Sequence, residues 1–215
     1  MEHMPGIVCE AEERQRQKKK IERIVLDLDD TLNSLTMHLL GAYGAKCGPM
    51  DYDKYPTEVG YDIVAAWSQM TGEDPIPVPE WWEKVSRRMW AIAPKSEQFW
   101  LLDNCARLVG RENVQIATAP TKCGDCLAGK YDWMDKNLPS WCQRQYSVTP
   151  RKEWLAQPGV LLIDDSAENC MNFIYKKDKS LTGGCALLVP RPWNWAYHED
   201  TNDWLLTGLE LYDFG

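Results

Sequence analysis

Asp27-Leu28-Asp29-Asp30-Thr31 closes the apolar run Ile24-Val25-Leu26, so three carboxylates and a hydroxyl crowd the end of a short hydrophobic segment. Clustered carboxylates repel one another and resist desolvation, a conflict that a divalent cation removes. Residues two apart on an extended strand project to the same side, which pairs Asp27 with Asp29 and leaves Asp30 as a turn residue. Downstream, a second apolar run ends in Thr118, a third ends in Asp164-Asp165, and Lys152 lies between them. Gathered in one place, these residues offer carboxylates for a hard cation, a hydroxyl and an ammonium for phosphate oxygens, and one carboxylate free to attack. That inventory fits phosphoryl transfer, in which a protein works mainly by positioning and charge neutralisation.

Strands must carry these residues to one edge. The apolar runs over 24–28, 114–118, 160–163 and 185–189 read as buried strands, and helical patterns cover 96–109, 129–137 and 167–175. Strand and helix in alternation predict a Rossmann-like, doubly wound parallel sheet in an α/β fold, with ligands bound at the carboxyl ends of the strands. The interval 34–94 breaks the rhythm. It shows helical patterns at 35–45, 57–70 and 80–91, separated by Gly48-Pro49 and by Asp74-Pro75-Ile76-Pro77-Val78-Pro79, and no strand. It reads as a small helical insert that could cover the crevice as a lid. The predicted division is a flexible leader over 1–20, a core over 21–33 and 95–215, and the insert over 34–94.

Among its 215 residues the chain carries a net charge of -8, which argues against a nucleic-acid duplex as partner and leaves room for a phosphorylated small molecule beside a bound metal. The eight cysteines are scattered, and no apolar secretory leader precedes them, so a reducing cytoplasm is the expected setting. Cys123 and Cys126 have zinc-knuckle spacing, but structural zinc takes four ligands and no second pair follows. No stretch is long and apolar enough to cross a membrane, so a soluble protein is expected. Tyr61, Trp67, Trp81, Trp82 and Trp90 of the insert are read as packing residues, any of which could stack on a base. Arg191 and Asn194 sit in a proline-stiffened loop after the last strand, and His3, His38 and His198 are too dispersed to form a cluster.

The D-x-D-x-T run at Asp27, followed in order by Thr118, Lys152 and Asp164-Asp165, resembles the four motifs of the haloacid dehalogenase (HAD) superfamily over nearly the whole chain. The blocks Thr118-Ala119-Pro120-Thr121-Lys122, Lys130 to Lys136, Thr149-Pro150-Arg151-Lys152 and Leu161 to Asp165 are similar to those of the 5'(3')-deoxyribonucleotidase family. The resemblance implies a HAD-like core with a helical cap domain and Mg2+-dependent hydrolysis of a nucleoside monophosphate or a similar small phosphorylated metabolite. It implies Asp27 as nucleophile and Asp29 as the group that protonates the leaving alkoxide and later activates water. Magnesium would be held by Asp27, the Asp29 backbone carbonyl and Asp164, with Asp165 in support. Thr118 and Lys152 would bind phosphoryl oxygens, with Lys122 as a second candidate. Ser166 departs from the pattern, standing where many relatives carry a charged residue. Two other readings stay open: the same chemistry on a polynucleotide end or a phosphoprotein, which the insert disfavours, and a binding protein that kept the fold without turnover.

Overall fold

The computed structural model describes residues 18–196 and 201–215. In chain order the strands are β1 (Lys19–Lys20), β2 (Arg23–Asp27), β3 (Val114–Thr118), β4 (Tyr146–Val148), β5 (Val160–Asp164), β6 (Cys185–Leu188) and β7 (Tyr212–Asp213). β2 to β6 form one sheet in the order β4-β3-β2-β5-β6, parallel at every pairing, while β1 pairs with β7 apart from it. This α/β architecture is compatible with a Rossmann-like fold. The strands alternate between two cores. Ile24, Leu26, Ile116, Leu161 and Ile163 face one, while Val25, Ala117, Leu162 and Leu188 face the other. Burial on both faces is why these segments are unbroken apolar runs.

The helices are α1 (Leu35–Ala42), α2 (Ile63–Thr71), α3 (Val78–Lys84), α4 (Arg87–Ala91), α5 (Leu101–Val109), α6 (Gly124–Asn137), α7 (Ala167–Ile174) and α8 (Thr201–Glu210). Among the described residues no helix is long and apolar enough to cross a membrane. The insert begins and ends at one point, where Asn33 and Lys95 form an antiparallel bridge and Ser34 N donates to Pro94 O at 2.9 Å. Its helices are shorter than their periodicity predicted. Asp62 accepts from Val64 N and Ala65 N and starts α2 there, so 57–59 is only a 3-10 turn. The pattern over 80–91 splits in two because Val85 and Ser86 are extended.

The insert is packed on the core as well as tethered to it. Leu35, Leu39, Val64, Trp81, Val85 and Trp90 belong to the same buried cluster as Ile24, Leu26 and Ile116. α4 lies against α6, where Arg87 grips Asp132 with two hydrogen bonds of 2.6 and 2.7 Å and Trp133 Nε1 donates to Ala93 O at 2.6 Å. The predicted leader is corrected at its end: Lys19 and Lys20 are paired with Tyr212 and Asp213 in a parallel strand. Its earlier part, with His3 and Cys9, lies outside the described residues, as does His198.

Close approach of α4 and α6 requires Gly129. A Cβ there would collide with the Cβ of Trp90 and lie 2.5 Å from Arg87 O, whereas a Cβ on Gly124 would meet nothing within 4 Å. Gly129→Ala is expected to lower unfolding stability by about 1–3 kcal/mol despite its better helix propensity. Gly124→Ala should change it by less than about 1 kcal/mol. Urea titrations of the two variants check the contrast.

Candidate active site

Strands β2, β3 and β5 are neighbours, and they end in Asp27, Thr118 and Asp164. Chain order reverses across β2, so these three ends flank the crevice where open parallel sheets bind ligands. The register sets Leu26 beside Ile163, which carries Asp27 and Asp164 to adjacent ends. Lys152 comes from a 3-10 turn after edge strand β4 and enters between them, its Nζ 2.5 Å from Asp27 Oδ1 and 2.6 Å from Asp164 Oδ2. Asp164 is held further by Ser166 N on Oδ1 at 2.8 Å and by Asn169 Nδ2 at 3.2 Å. Ser166 also accepts from Asn169 N and caps α7, which gives it a structural use.

β2 stops at Asp27. Asp29 therefore sits in the following turn, closed by Leu32 N donating to Leu28 O at 3.0 Å, and is off the extended strand end on which period-two spacing had put it. It still reaches the site. Asp29 Oδ2 accepts from Thr118 Oγ1 at 3.3 Å and forms an ion pair of 2.5 Å with Lys130. Asp30 turns away at φ 57, and its carboxylate takes Thr36 N and Thr36 Oγ1 at the start of α1.

Four carboxylates, those of Asp27, Asp29, Asp164 and Asp165, thus face two ammonium groups, Lys130 and Lys152. Burial pushes Asp27 well above the usual carboxylate range; Lys152 pulls it back, and Asp164, Asp165 and Asp29 push it further. Asp165 is raised in the same way, by burial and then by Asp164 and Asp30, against a bond from Trp193. Asp30 is pushed up to about 7, mainly by burial, with Thr36 and Arg191 opposing. Burial works against the Lys152 ammonium, yet Asp164 and Asp27 hold it above the ordinary lysine range. The site gathers more carboxylates than its own cations can pair.

A metal ion fits that imbalance. One oxygen from each of Asp27, Asp164 and Asp165 lies within 4.8 Å of the others, and all three residues are buried. Asp165 Oδ1 is buried without a hydrogen-bond partner among the described residues, a costly state for a carboxylate oxygen that has no ligand to receive. An all-oxygen donor set suits a hard divalent cation such as magnesium. Asp27 and Asp164, with Asp165, would hold it; the ion pair with Lys130 occupies the Asp29 side chain and does not involve the backbone carbonyl of Asp29.

Lys130, which the sequence motifs did not single out, joins this group of side chains, and Lys122 is bonded to none of them among the described residues. Lys122 is exposed and, among the described residues, makes no hydrogen bond or ion pair. Lys130 is buried on α6 and donates to Thr118 Oγ1 at 2.9 Å and to Ala119 O at 2.5 Å. A signal for it existed: Lys130 stands between Cys126 and Trp133 on the buried stripe of α6, where an unpaired lysine has no place.

The insert supplies aromatic rings nearby. Trp90 lies 5.1 Å from Lys130 Nζ, and Trp82 stacks on Trp90. The Tyr61 side chain is 63% exposed, yet its hydroxyl is held well above the ordinary phenol range by Asp165, then by burial, Asp30, Asp27 and Asp164. Trp67 and Trp81 are packed against each other and Tyr43. Arg191 and Asn194 are structural: Arg191 donates to Asp30 O and Gln98 Oε1, and Asn194 to Asp165 O and Val189 O. Cys123 and Cys126 are free thiols outside any group of metal-ligating side chains among the described residues. A polar cavity of about 230 Å³ between Arg23, Glu112 and Arg144 opens at the opposite end of the sheet, away from this chemistry.

No model of a known protein family matches the chain, and no curated protein matches it. The fold and the site themselves define a parallel α/β protein with a buried aspartate cluster able to hold a metal ion.

Raised carboxylates make stability fall with pH. In the unfolded chain Asp27, Asp30 and Asp165 titrate near about 3.9, so above that pH the folded state holds protons that the unfolded state has released. In chelator the urea midpoint is expected to decline as pH rises from about 4.5 through the Asp30 value of about 7. Excess Mg2+ should restore the midpoint at the upper end, since a cation bound only by the folded state stabilises it. A midpoint that climbs with pH in chelator would contradict this account.

Proposed function

We propose that the protein is a magnesium-dependent phosphomonoester hydrolase of the HAD type, with the insert serving as a helical cap and a nucleoside monophosphate as the substrate class. The observation that carries this reading is the meeting of Asp27, Thr118, Lys152 and Asp164 at three adjacent strand ends, in the order the motif resemblance requires. Aromatic rings of the insert, Trp90 beside Lys130 and Tyr61 beside Trp193, support a small substrate with a planar leaving group.

The chemistry divides between two carboxylates. A carboxylate oxygen of Asp27 attacks phosphorus, the bond from phosphorus to the leaving oxygen breaks, and Asp29 gives that oxygen its proton. Asp29 then takes a proton from water, the water oxygen attacks the aspartyl-phosphate, and inorganic phosphate leaves Asp27 in its starting form. Lys152 holds Asp27 Oδ1 and fixes the attacking group. Thr118 Oγ1 and the Lys130 ammonium, which already touch each other, are placed to receive phosphoryl oxygens as Lys130 exchanges Asp29 for substrate. Asp27, Asp164 and Asp165 would hold magnesium, which would supply charge neutralisation for the phosphoryl group.

Phosphate release from a panel of nucleoside monophosphates tests the reading. Asp27→Asn should lower turnover by at least about a thousandfold, and chelation should abolish it until Mg2+ is returned. Unchanged turnover in Asp27→Asn would overturn the mechanism. The two lysines make a separate comparison: Lys130→Met should lower kcat/KM by about a hundredfold or more, and Lys122→Met should leave it within about twofold.

A further inference from the structure

We propose that Trp193 is a positioning residue that ties the packing of the inserted segment to the cation site by orienting Asp165. The inference rests on the reading of Asp27, Asp164 and Asp165 as cation ligands, and it adds a residue that the motif pattern does not contain.

The two ends of Trp193 belong to different parts of the molecule. Its indole Nε1 donates to Asp165 Oδ2 at 2.8 Å, in a bond buried on both sides. An indole N–H is a donor only, so it fixes Oδ2 as an acceptor and leaves Oδ1 as the atom available to a ligand. Oδ1 is the buried oxygen without a partner among the described residues. The same bond locks the carboxylate torsion, the usual task of a group that stands behind a metal ligand.

The ring, by contrast, is embedded in the insert. It shares a buried cluster with Met37, Leu40, Ala45, Tyr55 and Ala66. Three tyrosines of the insert surround it edge-on, with Tyr55 at 5.1 Å, Tyr61 at 6.0 Å and Tyr52 at 6.3 Å between ring centroids. The Trp193 backbone has little freedom of its own. Proline precedes it, Asn194 Nδ2 bonds to both Asp165 O and Val189 O, and Arg191 is anchored to Asp30 O. A shift of the tyrosines therefore acts on the indole, and through the indole on Asp165.

Binding of Mn2+ to the full-length protein, followed by calorimetry and by electron paramagnetic resonance, provides the test without reference to turnover. Trp193→Phe keeps the ring and removes the donor; its Kd for Mn2+ is expected to rise by about 10–100-fold. Tyr55→Ala takes one ring edge from Trp193 without touching a carboxylate and should also weaken Mn2+. Tyr55→Phe loses only a hydroxyl that bonds to Gly60 O and should bind as the wild type does. Thermal unfolding in chelator confirms that each variant is folded. Wild-type affinity in Trp193→Phe would overturn the role of the indole, and wild-type affinity in Tyr55→Ala would overturn the link to the insert. A wild-type protein that binds no Mn2+ would instead remove the cation reading on which both stand.

Discussion

The Lys152 ammonium, wedged between Asp27 and Asp164, is the interaction on which the rest of the arrangement depends. Two parallel strands end side by side in carboxylates, and without a cation between them burial and repulsion would drive those ends apart. Removing one partner from such a buried cluster generally costs about 3–5 kcal/mol, because the remaining charge is stranded in a poorly solvating interior. One side chain therefore ties the ends of two neighbouring strands together and fixes the Asp27 carboxylate. Its position follows from the fold: β4 runs beside β3, Thr149 N donates to Thr118 O at 2.9 Å, and the turn that follows delivers Lys152 over the neighbouring strand ends.

The insert is joined to this centre in two physically different ways. At α4 the attachment is tight and partly ionic, with Arg87 on Asp132 and with Gly129 allowing the helices to touch. Between α1 and α2 the attachment includes aromatic contacts, through the tyrosines around Trp193. The first depends on backbone proximity and tolerates little change. The second depends on ring edges, which can slide at small energetic cost, and it leads directly to Asp165.

Most of the sheet was legible because a strand buried on both faces has to be a continuous apolar run. Ile24-Val25-Leu26 and Leu161-Leu162-Ile163 cannot be much else. β4 escaped notice because it is a three-residue edge strand with only partial burial, and β1 and β7 because each is stabilised by a partner nearly two hundred positions away. The insert's helices were overextended in the sequence reading. Periodicity reports which residues face a core but is insensitive to the cap at Asp62 and to the extended link at Val85 and Ser86. Asp29 meets Thr118 and Lys130 from the turn after Asp27, where strand pleating does not apply.

Residue types along the chain determined by themselves that carboxylates, a threonine and a lysine stand at the ends of apolar runs, and that a helical segment interrupts the first crossover. Those are local properties, set by hydrophobic patterning and by the chemistry of adjacent side chains. Tertiary structure alone decided which lysine joins Thr118 and Asp29. Lys122 is nearer in sequence to the end of β3, but it lies exposed in the loop before α6, whereas α6 carries Lys130 back to Thr118 and Asp29. It also decided that an indole from the far end of the chain holds Asp165 while resting on rings of the insert. Such pairings arise when separate elements close on one another, and no spacing within a single element encodes them.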